Sequence, residues 1–182
     1  MPERSLLWRR LDAPGMDHCT LRWDESGGAA SGISVGIGDT RSFGARWEVR
    51  WDSDWITRQV LVTLDDRLLN LEQRDAGAWY DQDGAREDLV GLWDIDLACT
   101  PFTNTLPIRR MKMALGASTE ISVALVSVPT LTVTASAQRY ARLAPEVYRF
   151  DAPASGFQAI LTLDSDKLVR NYEGLFERVH SA

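Results

Sequence analysis

Lysine, histidine and cysteine each occur only twice in the 182 residues, and each shortage excludes a class of function. His18 sits beside Cys19, so on a strand the two side chains point to opposite faces and cannot close one metal site; no metal centre is expected. Two cysteines, Cys19 and Cys99, do not make a disulfide framework, and free buried thiols are the simpler reading. With so few lysines, no Gly-Lys-Ser or Gly-Lys-Thr occurs to cradle phosphates. Gly36-Ile37-Gly38 lacks the third glycine of a dinucleotide fingerprint, and no cofactor is expected.

Positive charge is also short. Acidic residues outnumber basic ones by 26 to 20, giving a net charge of -6 and disfavouring nucleic acid as a partner. Nearly all of the positive charge is arginine, whose planar fork suits fixed ion pairs and bidentate anion contacts. Long apolar runs are missing too. The longest uncharged stretch, 121–138, is broken by Pro129 and by serines and threonines, so no transmembrane segment is expected. Leu6, Leu7 and Trp8 run at once into Arg9 and Arg10, which precludes a signal-peptide core and leads to the expectation of a cytoplasmic protein.

What remains is ordinary globular composition, 45% hydrophobic and 25% charged. It fits a single domain over 1–182 that can bury a core and still enclose a pocket. The oligomeric state is not legible in the sequence. The dominant pattern is period-two alternation, clearest in Arg46-Trp47-Glu48-Val49-Arg50-Trp51, where Trp47, Val49 and Trp51 share one face and the charged residues the other. Turn compositions at 52–54, 65–67 and 81–84 separate further strands, giving a meander. Strands are expected over 5–11, 19–23, 33–37, 55–64, 68–74, 108–115, 120–128, 131–138, 147–150 and 157–163. A mobile loop is expected over 24–32, and a short helix or turn near the carboxyl end, where Leu168, Val169, Tyr172, Leu175, Phe176 and Val179 fit helical spacing. The fold class is therefore mostly β, antiparallel with short connections.

Two catalytic patterns deserve weighing. Asp94 and Asp96 would face the same way on a strand and raise one another's pKa, as acid–base pairs do, but this spacing is common and nearby arginines offer structural pairing. Gly32-Ile33-Ser34-Val35-Gly36 fits the Gly-x-Ser-x-Gly elbow, yet a Gly/Ser loop precedes it and Gly38-Asp39-Thr40-Arg41 follows, so the required strand and helix are lacking. An ordinary strand with glycines facing a neighbour is the better reading.

The most distinctive segment runs Asp94-Ile95-Asp96-Leu97 and then Thr100-Pro101-Phe102-Thr103-Asn104-Thr105-Leu106-Pro107-Ile108-Arg109-Arg110. Its two prolines bracket an ordered loop whose backbone is satisfied by local threonine and asparagine bonds. Together with Trp55-Ile56-Thr57-Arg58, Gly77-Ala78-Trp79, Gln138-Arg139-Tyr140 and Leu168-Val169-Arg170-Asn171-Tyr172, it resembles the putative glycolipid-binding family of bacterial proteins over nearly the whole chain. The resemblance implies a curved antiparallel sheet or partly closed barrel around an apolar cavity and a lipid or glycolipid ligand, held without catalysis. The alternatives are an enzyme using Asp94 and Asp96 on such a ligand, or an interaction protein with an exposed apolar sheet face.

Seven tryptophans against five phenylalanines suit the lining of a pocket for an amphiphile, although core packing accounts for any single one as well. The expected ligand-binding residues are Trp47, Trp51, Trp55, Arg58, Trp79, Asn104, Arg109 and Arg139, with the arginines and the Thr-Asn loop meeting a polar head. Carboxylates at Asp52, Asp54, Asp94 and Asp96 compete for those arginines. On a strand over 108–115, Arg109 would face inward with Met111 and Met113, its charge met by Asp94, Asp96 or a ligand.

Overall fold

The computed structural model describes residues 3–38 and 41–182. Met1, Pro2, Asp39 and Thr40 lie outside them, so the segment after the Gly-x-Ser-x-Gly pattern is described only in part. Among the described residues, fifteen strands form a single sheet. In chain order they are β1 Glu3–Arg10, β2 Gly15–Asp24, β3 Gly27–Ile37, β4 Ser42–Asp52, β5 Thr57–Leu64, β6 Arg67–Gln73, β7 Trp79–Asp81, β8 Gly84–Ala85, β9 Asp94–Leu97, β10 Ser118–Val126, β11 Val133–Ala144, β12 Val147–Ala152, β13 Phe157–Leu163, β14 Val169–Tyr172 and β15 Phe176–Ser181. The spatial order is β8 back to β1, then β15 back to β9. Two meanders are thus joined by the antiparallel pairing of β1 with β15. All pairs are antiparallel except β9 with β10. The sheet is curved and does not close.

Alternation sets the inner face. Trp47, Val49 and Trp51 are buried while Arg46 and Arg50 face out, as a half-buried strand requires. The glycines of β3 complete this packing. Gly28, Gly32 and Gly36 pair across the ladder with Trp51, Trp47 and Phe43. A Cβ at Gly32 would stand 2.3 Å from Trp47 Cζ2, so the missing side chain is the space the indole fills. Ser34 is therefore a strand residue, not an elbow nucleophile, and its hydroxyl donates to Asp17 at 2.5 Å.

Three expectations are corrected. The segment 24–32 is not a mobile loop but the β2–β3 hairpin; its glycines serve a left-handed turn at Gly27, φ 127°, and clearance for Trp51. The carboxyl end is not helical: β14 and β15 form a hairpin in which Tyr172 pairs with Phe176, so the tight turn, not a helix, creates the four-residue spacing. The segment 108–115 is not a strand. A 3-10 turn, Pro101–Asn104, runs into the one α-helix among the described residues, α1 Thr105–Met111. Thr100 Oγ1 accepts from Phe102 N–H at the start, and the prolines fall in first turns, where no N–H is needed.

This 101–111 segment plugs the concave side of the sheet. Phe102 stacks on Trp47 at 5.9 Å and meets Trp51 at 5.6 Å, joining the plug to β4. Thr100 Oγ1 donates to Asp17 of β2, and Thr105 Oγ1 donates to the Lys167 carbonyl in the other meander. No described helix is long and apolar enough to cross a membrane.

Candidate functional site

Between the plug and the second meander lies a cavity of ≈ 440 Å³, within the usual size of small-molecule sites. Its apolar wall is made by Phe150 and Phe157 from β12 and β13, Tyr172 from β14, Leu175 and Phe176 at β15, and Leu125 from β10. Phe150, Phe157 and Tyr172 form a mutual aromatic cluster with ring centroids 5.7–6.2 Å apart. Phe150 and Phe157 point inward from β12 and β13, while Tyr172 is buried at the end of β14, a short strand whose burial does not alternate.

Three polar residues of the lining, Asp96, Asn104 and Gln138, belong to one network of hydrogen bonds. Gln138 Nε2 donates to Asp96 Oδ2 at 2.6 Å, and Thr103 Oγ1 donates to Asp96 Oδ1 at 3.2 Å. The Tyr140 hydroxyl, fully buried, lies 2.9 Å from Asn104 Oδ1 and 3.1 Å from Gln138 Oε1, and shares its one proton between them. Asn104 Nδ2 in turn donates to the Pro101 carbonyl. Burial pushes the Asp96 carboxyl above its ordinary value, against the lowering effect of Gln138 and Thr103. Tyr140 is likewise pushed up by burial, reinforced by Asp96. The cavity thus sets aromatic rings beside a carboxyl, two amides and the Thr100 hydroxyl.

Of the expected ligand-binding residues, only Asn104 lines this cavity. Trp47 and Trp79 are buried core, their indole N–H groups donating to Asp17 and to the Leu92 carbonyl. Trp51 is also buried, stacked on Trp55 and tilted against Phe102. Arg58 donates through Nε and Nη2 to one oxygen of Asp52, and Arg139 pairs with Glu120 on the outer surface, so both are ion-paired away from the cavity. Arg109 and Trp55 do come together, the guanidinium 4.0 Å from the ring, but beside a different pocket.

Strand alternation sets Arg109 inward with its charge met by Asp94, Asp96 or a ligand; in the structure Asp94 pairs with Arg110, and Arg109 donates to a backbone carbonyl. On a helix, successive residues point about 100° apart rather than 180°, and Arg110 Nη2 reaches Asp94 at 2.6 Å while Arg109 Nη1 donates to the Asp166 carbonyl. Burial raises the Asp94 pKa and Arg110 opposes the rise. Sequence reasoning missed Phe150, Phe157, Tyr172 and Phe176 because aromatic weight drew attention to tryptophan. The usable signal was the Gln138-Arg139-Tyr140 motif, whose first and third residues share a face and meet Asp96 and Asn104. Among the described residues, no group of three or more histidines, cysteines or carboxylates is placed to hold a metal ion.

A search of curated proteins gave no match. Among solved structures, a DUF1089 family protein from Pseudomonas aeruginosa matches with a TM-score of 0.81 and 32% identity, over 90% of this chain and 92% of that one. The model of the family described as "Putative glycolipid-binding" matches residues 5–178, and the chain belongs to that family.

Proposed function

We propose that the protein binds a glycolipid or other amphipathic lipid, with the acyl part in the cavity of ≈ 440 Å³ and the polar head toward Asp96, Asn104 and Gln138. One observation carries this reading: the cavity sets an aromatic cluster beside Asp96, Asn104 and Gln138, polar groups already ordered within one hydrogen-bond network. The half-buried Asp96 carboxyl, already oriented by Gln138 and Thr103, has lone pairs left to accept from a sugar or head-group hydroxyl. The family description agrees with such a ligand.

An enzyme using Asp94 and Asp96 as an acid–base pair has weaker support. Asp96 lines the cavity, but Asp94 does not and is engaged by Arg110. The test is displacement of a fluorescent polyene fatty acid by octyl glucoside below its micelle threshold. Saturable displacement in the wild type, abolished in an Ala152→Trp variant that still melts cooperatively, is expected. Equal displacement in both proteins would refute the placement.

A further inference from the structure

Where α1 ends, a second pocket of ≈ 450 Å³ is lined by Arg109, Lys112, Arg142 and Lys167, with Trp55 and Tyr148 as aromatic walls. It shares no lining residue with the apolar cavity. Both lysines of the chain and two of its arginines thus face one hollow in a protein of net charge -6.

Among the described residues, none of these four cations forms an ion pair with a carboxylate. Backbone carbonyls hold three of them instead: Arg109 Nη1 donates to Asp166 O at 2.6 Å, Arg142 Nη1 to Met113 O at 2.7 Å, and Lys167 Nζ to Pro145 O at 2.7 Å. These contacts orient the charges without neutralising them. Asp166 and Asp164, whose charges act on Arg109, are engaged by other arginines. Asp164 pairs with Arg4 and Arg178, and Asp166 with Arg4. Asp24 and Glu25 line an adjoining hollow that shares only Ser53, Trp55 and Arg109.

The backbone points to the same place. Five described non-glycine residues have positive φ, and three of them, Trp55 at 64°, Lys112 at 46° and Lys167 at 64°, line this pocket. Glycine takes that conformation freely and an L-residue does not. Strained positions held by lysine rather than glycine are a mark of sites where the side chain is needed.

We propose that this pocket binds a phosphate ester. Four converging cations exceed what one carboxylate would neutralise and match the charge and multiple acceptor oxygens of a phosphate. The volume exceeds that of the bare ion, and Trp55 and Tyr148 offer walls to the group that carries it. The site stands independently of the lipid reading, which can fail while this one holds.

The experiment is calorimetric titration of the full chain, at low ionic strength, with inorganic phosphate and with glycerol phosphate, alongside sedimentation with phosphatidylglycerol and phosphatidylcholine vesicles. The control is Lys112→Gly/Lys167→Gly, which removes two charges at backbone positions that favour glycine and so is expected to fold with a thermal midpoint no lower than that of the wild type. Saturable binding of glycerol phosphate, weakened by roughly tenfold or more in the variant, is expected. Indifference to vesicles then assigns a soluble ester. Binding of phosphatidylglycerol but not phosphatidylcholine vesicles, competed by inorganic phosphate, assigns a lipid head group. No binding of any probe, or binding unchanged in the variant, overturns the proposal.

Discussion

Asp17 ties β2, β3, β4 and the plug together, and replacing it with asparagine should remove a specific pH dependence of stability. The carboxylate is fully buried. Its Oδ1 accepts from Ser34 Oγ and Trp47 Nε1, and its Oδ2 from Thr100 Oγ1. Burial raises its pKa from the ordinary 3.8 to about 6, since the three donors only partly offset the lost solvation. The folded protein therefore holds this proton more tightly than the unfolded chain does. The stabilisation is fully present below the ordinary value and is lost as pH rises through about 6. At about 1.4 kcal/mol per tenfold change in proton affinity, the loss amounts to about 3 kcal/mol. Asparagine keeps the shape and cannot ionise. Its amide would face Thr100 Oγ1, which has a lone pair free besides the one that accepts from Phe102 N–H. Urea unfolding of wild type and Asp17→Asn, followed by tryptophan fluorescence from about pH 4 to about pH 7, should show the variant gaining about 2 kcal/mol relative to wild type as pH rises, the rest of the loss falling below that window. Asp94 and Asp96, also raised, are common to both proteins and cancel in the difference. A difference that stays flat with pH, or runs the other way, would refute the reasoning.

Arg110→Ala leaves the buried Asp94 without its partner and should cost about 3–5 kcal/mol in chemical denaturation, whereas Arg109→Ala loses one carbonyl bond and the Trp55 stack and should cost about 1–2 kcal/mol. The reverse order would contradict the helical placement of this segment. Gly32→Ala sets a Cβ 2.3 Å from Trp47 Cζ2 and 2.5 Å from His18 O, and should lower the thermal midpoint by the equivalent of about 1–3 kcal/mol; a neutral result would mean that the indole is not held against β3.

The sheet was legible because alternation is local: Trp47 to Trp51 reports its own faces, and the register follows from burying them. The plug was not. Met111, Met113 and Leu115 alternate as a strand would, but Met111 ends a helix seeded by the prolines upstream, and Lys112 turns the chain at a left-handed φ of 46°. The carboxyl hairpin misled for a related reason, since its three-residue turn imitates a helical step between Tyr172 and Phe176. For the site, Asp96, Asn104, Gln138 and Tyr140 all lie in motifs that stand out in the sequence, while their meeting depends on the parallel pairing of β9 with β10, a non-local contact that no spacing reveals. The cationic pocket was hidden more deeply. Its lysines are 55 residues apart, and only the fold shows that both sit at left-handed turns around one hollow.

The most direct test of the central claim is a crystal structure of the protein with octyl glucoside bound. The account predicts alkyl density along Phe150, Phe157, Tyr172 and Phe176, with glucose hydroxyls within hydrogen-bond distance of Asp96 or Gln138. An empty cavity at saturating octyl glucoside, or alkyl density seated elsewhere on the sheet, would contradict it.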